Sequence, residues 1–193
     1  MLALYFAPGA SSMAVHIALH EAGAAFDARP ISLARQEQRD AAFLALNPEG
    51  KVPLLLIDNR PLTEVAAILF YLARRFPDAR LLPSTDVETE AQALSWMSFV
   101  ASTLHPARRL GPEAVRAAFD QAETRLGTRD WALGVFSIAD IHLFRLYWRL
   151  VNSRQPPPVA FPRLAAHAER MMARPAVRHT IAIERAIGYE LPN

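Results

Sequence analysis

The chain has 193 residues, 52% of them hydrophobic and 21% charged, which excludes a disordered protein and suits one with a sizeable core. It contains no cysteine, which excludes disulfide bonds, thiolate metal sites and a cysteine nucleophile. Its 21 basic residues include a single lysine, Lys51, and form no basic patch, so we expect no nucleic-acid partner. No apolar run approaches the length of a membrane span, and the N-terminus lacks signal-peptide charge, so we expect a cytoplasmic protein without a membrane partner.

The first 80 residues alternate between strand and helix patterns. Short apolar runs bounded by proline and glycine predict strands, and apolar residues at helical spacing predict helices between them. In chain order we expect a strand at 2–6, a helix from the caps Ser11 and Ser12 to Gly23, a strand at 27–33, a short helix at 36–46, a hairpin over 52–62, and a helix from the cap Thr63 to residue 76. This order predicts an α/β domain of residues 1–80.

The rest of the chain shows helical patterns only, after a proline-containing linker at 77–84. We expect helices at 87–110, 112–126, 137–151, 163–172 and 176–187, with a proline-rich loop at 153–162. The first of them has a stripe of Leu94, Met97, Val100 and Leu104. The predicted fold class is therefore α/β plus all-α, with a helical domain of residues 81–193.

Two turns in the first domain have the residue types of a binding site. Segment 5–12 (YFAPGASS) takes a strand into a helix N-terminus, whose unpaired N–H groups and positive dipole end stabilise an anion. Segment 50–53 (GKVP) places a proline where a strand begins, a position tolerated at a strand start or with a cis bond. A cis Val52–Pro53 bond would turn the Val52 backbone outward toward a peptide ligand.

Two helix starts add polar side chains. Segment 62–64 (LTE) places a cap and then a carboxylate in the first turn of a helix. Segment 137–140 (SIAD) has the spacing of a capping box, in which Asp140 reaches back to the N–H of Ser137. We interpret the capping box as structural.

In this order and spacing, the segments 8–12 (PGASS), 47–53 (NPEGKVP), 62–68 (LTEVAAI), 71–73 (YLA) and 136–140 (FSIAD) resemble the cytosolic glutathione transferases, in particular the bacterial beta-class enzymes. The resemblance covers nearly the whole chain. It implies a thioredoxin-like glutathione-binding domain at 1–80 and an all-helical domain at 81–193 that holds the electrophile and the dimer contacts. The implied activity is conjugation of the glutathione thiolate to a small hydrophobic electrophile, a detoxification chemistry. It further implies a homodimer, with glutathione as a co-substrate and with neither a tightly bound cofactor nor a metal.

The resemblance also implies which residues activate the thiol. Ser11 is the expected hydrogen-bond donor to the glutathione thiolate. Ser12 is the alternative, because a shift of one residue exchanges cap and donor, and Tyr5 on the first strand is the third candidate. His105 aligns with a histidine that lines the beta-class active site.

Five further residues are implied to bind glutathione. Val52, next to Pro53, would pair with the cysteinyl backbone. Glu64 would hold the ammonium group of the γ-glutamyl residue, and the Val65 N–H its carboxylate. Lys51 would meet the glycyl carboxylate.

The sequence departs from the family pattern at three places. Ser11 stands where beta-class proteins usually have cysteine, Val65 stands where many relatives have serine, and the stretch 105–131 is shorter than usual. These departures leave open a transferase-like binding protein without turnover, or a glutathione-dependent isomerase or peroxidase. Taken singly, Ser11 is also explained as a helix cap, and His105 as a packing residue.

Overall fold

The computed structural model describes residues 1–83, 86–153 and 160–189. Its first part alternates strands and helices: β1 (Leu2–Phe6), α1 (Ser12–Glu21), β2 (Phe26–Pro30), α2 (Ala41–Leu44), β3 (Leu54–Ile57), β4 (Arg60–Thr63) and α3 (Val65–Arg75). Two 3₁₀ turns lie at Glu37–Arg39 and Pro77–Ala79. The α/β domain that the sequence predicts is therefore present, and the strand predicted at 27–33 begins earlier and ends at Pro30.

The four strands form one sheet in the order β2-β1-β3-β4. β1 runs parallel to β2 and antiparallel to β3, with Tyr5 opposite Leu54. Alternate residues of β1 face opposite sides of the sheet. Leu4 and Phe6 pack into a core with α1 and α3, whereas Tyr5 packs on the other face against Phe43.

In the second part, the described residues form helices and the loops between them. Its elements are α4 (Val87–Phe99), a π-helical segment (Val100–Leu104), α5 (His105–Leu110), α6 (Pro112–Leu126), α7 (Ile138–Val151), α8 (Pro162–Met172) and α9 (Pro175–Ile187). Of the predicted linker and proline-rich loop, residues 84 and 154–159 lie outside the described residues. No helix in the described ranges is both long and apolar enough to cross a bilayer.

The helix predicted over 87–110 is interrupted by the π-helical segment. Pro106 explains the interruption, because it lacks the N–H that would bond the Ser102 carbonyl and its ring crowds that carbonyl. Leu94, which the predicted apolar stripe places in the core, is 43% exposed, whereas Met97 and Val100 are buried.

The start of α3 also differs from the prediction. Thr63 ends β4, and Glu64 takes the N-cap position, so the cap predicted at Thr63 is wrong by one residue. The start of α7 agrees with it: Ser137 and Asp140 form the predicted capping box. Asp140 additionally accepts hydrogen bonds from the Ala132 N–H at 2.7 Å and contacts His167 Nε2 at 2.9 Å.

One hydrophobic core joins the two parts. The inner face of the sheet, α1 and α3 pack against Ile141 and Phe144 of α7 and against Val177 and Ile181 of α9. The loop between β1 and α1 is thereby placed directly against the helical part, where the two parts meet.

Candidate active site

A cavity of about 600 Å³ lies between the loops at one end of the sheet and the helices that pack beside them. Seven of the nine predicted site residues border it. These are Ser11, Lys51, Val52, Pro53, Glu64, Val65 and His105.

Ser12 and Tyr5, the other two, lie within the described residues but do not border the cavity. Ser12 is fully buried, and its hydroxyl accepts from the Ala7 N–H at 3.1 Å and donates to the Ala7 carbonyl at 3.2 Å. The Tyr5 hydroxyl accepts from Arg29 at 2.9 Å on the other face of the sheet. Of the three predicted thiol-activating hydroxyls, Ser11 is the one that borders the cavity.

Ser11 occupies the N-cap position of α1, yet its side chain makes no cap hydrogen bond. Its hydroxyl donates instead to the Val52 carbonyl at 2.9 Å, next to the cis Val52–Pro53 bond. The hydroxyl therefore lies between a helix N-terminus and a cavity-lining backbone segment. A serine hydroxyl has one proton to donate, so a ligand that takes this hydrogen bond must displace the Val52 carbonyl.

The turn before Val52 is held by its own side chains. Asn47, 3% exposed, donates to the Lys51 carbonyl at 2.8 Å and accepts from the Glu49 N–H at 3.2 Å. Gly50 has a φ of 62°, and a Cβ there would lie 2.8 Å from a guanidinium nitrogen of Arg39. Lys51 is exposed and paired with Glu49 at 2.7 Å, so its ammonium group stands at the cavity edge rather than inside.

Glu64 combines an exposed side chain with a strained backbone. Its φ is 68° and its ψ 121°, a conformation that costs a residue with a Cβ about 1–3 kcal/mol. Val65, the first residue of α3, presents one of the N–H groups that a helix start leaves unpaired. The strained backbone of Glu64 and the start of α3 thus stand together at the cavity edge.

Two residues that the sequence analysis missed hold the loop before Ser11. From α9, Glu184 accepts the Gly9 N–H at 2.7 Å and contacts His16 Nδ1 at 3.0 Å. From α7, Arg145 donates to the Ala10 carbonyl at 3.0 Å and to the Gly9 carbonyl at 3.2 Å. Glu184 is fully buried and Arg145 is 5% exposed, so the helical part fixes the loop that carries Ser11.

The helical wall of the cavity is basic. The name basic helical wall is used below for Arg108, Arg109, His142, Arg145 and Arg149. Burial and the charges of Arg149 and Arg108 lower the pKa of Arg145 to about 9, and burial and Arg108 lower that of Arg149 to about 10. Burial, with Arg145 as the next cause, lowers the pKa of His142 to about 3.

His105 lies beside this wall. Burial and the neighbouring arginines lower its pKa to about 4, so it is neutral at pH 7. Among the described residues no group of His, Asp and Glu side chains could hold a metal ion.

Comparison with known proteins identifies the family. Residues 1–74 match the model for the glutathione S-transferase N-terminal domain, and residues 106–175 that for the C-terminal domain. The glutathione S-transferase GstA of Escherichia coli O157:H7 is 32% identical over 94% of this chain and 98% of its own length. The chain belongs to the glutathione S-transferase family.

Solved glutathione S-transferases share the whole fold. A sphingomonad enzyme complexed with glutathione superposes with a TM-score of 0.85 at 34% identity, covering 95% of this chain and 98% of its own. The beta-class enzyme of Sphingomonas chungbukensis gives 0.82 at 36% identity, covering 94% and 98%. The predicted glutathione S-transferase family and the predicted fold class, a thioredoxin-like domain followed by a helical one, are confirmed.

Proposed function

We propose that this glutathione S-transferase conjugates the glutathione thiolate to a small hydrophobic electrophile, and that Ser11 stabilises the thiolate. Named glutathione S-transferases among its relatives support the activity. The observation that supports the residue is the Ser11 hydroxyl at the cavity edge, between the α1 N-terminus and Val52. Glutathione is a co-substrate in this reaction, and no tightly bound cofactor is required.

The stabilisation available at Ser11 matches what the reaction needs. A free thiol with a pKa of about 8.5 is about 3% ionised at pH 7. Lowering that pKa by about two units requires about 2.7 kcal/mol in favour of the thiolate. A hydrogen bond to a charged group contributes about 1.5–3 kcal/mol, and a helix N-terminus about 0.3–1 kcal/mol. One hydroxyl and one helix dipole are therefore sufficient.

Binding and activation are coupled through Val52. When the Ser11 hydroxyl turns from the Val52 carbonyl to the sulfur, that carbonyl becomes free to accept the cysteinyl N–H of glutathione. The thiol proton passes to water, and the thiolate attacks the electrophilic carbon. A C–S bond forms while the leaving group departs with the electrons of its own bond.

The remaining predicted residues bind the ends of the tripeptide. Glu64, which makes no ion pair with any described residue, is suited to the ammonium group of the γ-glutamyl residue. The Val65 N–H is suited to the adjacent carboxylate. Lys51 would exchange Glu49 for the glycyl carboxylate, and the neutral His105 would line the thiol end.

A homodimer in the cytoplasm completes the proposal. Leu94 and Val87, on the outer side of α4, are 43% and 83% exposed, and a dimer contact through α4 would cover them. Sedimentation equilibrium measures the state directly: a mass near 43 kDa, about twice the 21.4 kDa of one chain, is expected. A mass of one chain at micromolar concentration would contradict the dimer.

Two measurements separate the transferase from a binding protein. Retention on immobilised glutathione tests the site, and conjugation of glutathione to 1-chloro-2,4-dinitrobenzene, followed by absorbance, tests turnover. Both are expected. Retention without turnover on any electrophile supports the binding protein, and the isomerase and peroxidase alternatives predict turnover only of an isomerisable or peroxide substrate.

A further inference from the structure

One histidine of the basic helical wall takes no part in the steps described above. His142 lines the cavity and is 2% exposed, in a helix whose residues are buried from Ile138 to Leu150. Its Nδ1 is enclosed and has no hydrogen-bond partner among the described residues. Most buried side-chain polar atoms have a partner, because an unpaired one costs free energy. His142 is therefore a polar group that the described residues leave unsatisfied.

The other ring nitrogen of His142, Nε2, is the one that the cavity reaches. It makes no hydrogen bond to a described residue and is not among their enclosed unpaired atoms. A neutral imidazole carries one N–H and one lone pair. The tautomer with its proton on Nε2 presents the N–H to the cavity and leaves only a lone pair enclosed at Nδ1. Burial and the charge of Arg145 lower the pKa of His142 to about 3, so at pH 7 the ring is a neutral donor.

The neighbours of His142 on α7 place it beside the loop that carries Ser11. Arg145, three residues further on, donates to the Ala10 carbonyl at 3.0 Å and to the Gly9 carbonyl at 3.2 Å. Side chains three residues apart on a helix share a face, with their Cβ atoms about 5–6 Å apart. The His142 imidazole thus lies about one helical turn from the backbone just before Ser11, on the side of the cavity that faces a second substrate.

A neutral acceptor suits this position better than an anion. The charge of Arg145 is partly balanced within the protein, since the Glu184 carboxylate acts on its pKa in the direction opposite to burial. What His142 lacks is a hydrogen-bond acceptor, and a carbonyl oxygen supplies one without burying a further charge.

We propose that the His142 N–H donates to the carbonyl oxygen of an α,β-unsaturated ketone, and that this class of electrophile is preferred over halides without such an oxygen. The inference rests on the proposed transferase function and adds a substrate class and a catalytic residue. Glutathione keeps the sheet side of the cavity, and the ketone lies against α7.

The reaction is an addition and has no leaving group. The thiolate forms the C–S bond at the β-carbon, the π pair of the C=C bond moves between the α-carbon and the carbonyl carbon, and the carbonyl π pair moves onto oxygen. The resulting enolate takes a proton from water at the α-carbon. His142 stabilises the enolate oxygen more than the ketone oxygen, because a hydrogen bond to a charged atom is stronger than one to a neutral atom.

Two electrophiles test the role of His142. 4-Phenylbut-3-en-2-one develops negative charge on its carbonyl oxygen, whereas benzyl chloride develops it on the departing chloride. For each, kcat/KM is divided by the uncatalysed rate constant with glutathione at the same pH. His142→Leu, which removes the donor, is expected to lower the ratio of ketone to chloride by about 10–100-fold. His142→Gln, which keeps an N–H donor, is expected to retain the ratio within a few-fold.

The control and the contradicting outcomes use the same two electrophiles. His179→Leu is the matched control, because His179 is an exposed histidine of α9 that does not line the cavity, and its ratio should stay that of the parent. Equal losses for both electrophiles in His142→Leu would mean that His142 only shapes the cavity, and would overturn the proposal. Turnover of benzyl chloride without turnover of the ketone would also overturn it and leave the transferase standing.

A spectroscopic measurement distinguishes failure of this proposal from failure of the proposed function. With the protein saturated by S-methylglutathione, which cannot react, infrared absorption gives the carbonyl stretching frequency of bound 4-phenylbut-3-en-2-one. A hydrogen bond lowers this frequency, so we expect a lower value in the parent and in His142→Gln than in His142→Leu. That result supports the donor even if neither electrophile is turned over, in which case the transferase proposal alone fails. The same frequency in all three proteins overturns the proposal.

Discussion

At the scale of single residues, Ser11 and Ser12 show how adjacent hydroxyls acquire different roles. The sequence predicts both as helix caps. In the structure Ser11 borders the cavity, whereas Ser12 is fully buried and hydrogen-bonded to Ala7. The sequence predicts which residue types gather here, and seven of the nine predicted positions border one cavity. It does not predict which way each hydroxyl turns, because that depends on the Val52 carbonyl, 41 residues away.

Ser11→Ala should reduce turnover and spare the fold. Loss of a charge-assisted hydrogen bond to the thiolate predicts a kcat about 10–1000-fold lower, and the lost bond to Val52 is only part-buried. Ser12→Ala is the matched control: it should lower the free energy of unfolding by about 1–2 kcal/mol and keep the kcat within a few-fold. Conjugation rates give the kcat of both variants, and urea unfolding gives their stability. A large loss of kcat in Ser12→Ala, with the kcat of Ser11→Ala unchanged, would show that Ser12 activates the thiol.

Two variants of Glu64 distinguish the role of its charge in glutathione binding from the strain of its backbone. Glu64→Gln removes the charge that would hold the ammonium group and should raise the KM for glutathione by about 10-fold, with stability unchanged. Glu64→Gly should weaken binding similarly but raise the free energy of unfolding by about 1 kcal/mol, because glycine adopts a φ of 68° without strain. A Glu64→Gly variant that is less stable than the parent would show that the backbone here is not strained.

At the scale of elements, α7 and α9 position the loop that the sheet presents. The capping box marks the start of α7 in the sequence. His142, Arg145 and Arg149 also recur there at helical spacing on an otherwise apolar helix, which is a local signal for a polar face toward the cavity. Glu184 offered no local signal, because its partner Gly9 is 175 residues away and only the tertiary packing brings them together.

Glu184→Gln tests this positioning role. Glu184 is not among the residues that line the cavity, so we expect its effect on the thiol to act through the Gly9 N–H and the α1 N-terminus. The variant should lose about 2–4 kcal/mol of stability and also raise the pKa of bound glutathione, read from the pH dependence of kcat/KM. Glu169→Gln, which changes an exposed glutamate of α8, is the control. A loss of stability with an unshifted pH profile would make Glu184 purely structural.

At the scale of the whole molecule, buried histidines set the acid limit of stability. Burial and then Arg145 and His105 lower the pKa of His142 from 6.5 to about 3, and His105 and His20 shift in the same direction. Below about pH 6.5 these histidines bind protons in the unfolded protein but stay neutral in the folded protein. The free energy of unfolding is therefore full above about pH 6.5 and falls as the pH drops toward the pKa values of the folded state.

His142 alone should make the protein about 2 kcal/mol less stable at pH 5 than at pH 7.5. His142→Leu should remove that part of the pH dependence. Urea unfolding of parent and variant between pH 4.5 and 8 measures the difference, and parallel curves would show that His142 titrates normally.

The composition and the order of patterns were enough to predict a two-part molecule, because strand and helix periodicities are local. The sequence did not predict the basic helical wall, because its arginines are distributed over α5 and α7. They form one surface only when those helices pack beside the cavity. Cysteine is absent from the sequence, so the reactive sulfur must come from the bound tripeptide.

The pKa of glutathione bound to the protein shows whether Ser11 stabilises the thiolate. Thiolate absorbance near 240 nm, titrated with glutathione saturating the site, reports it for the parent and for Ser11→Ala. We expect a pKa near 6.5 in the parent, about two units below the free thiol, and a value at least about one unit higher in the variant. A bound thiol that titrates near 8.5 in the parent, or identically in the two proteins, would contradict it.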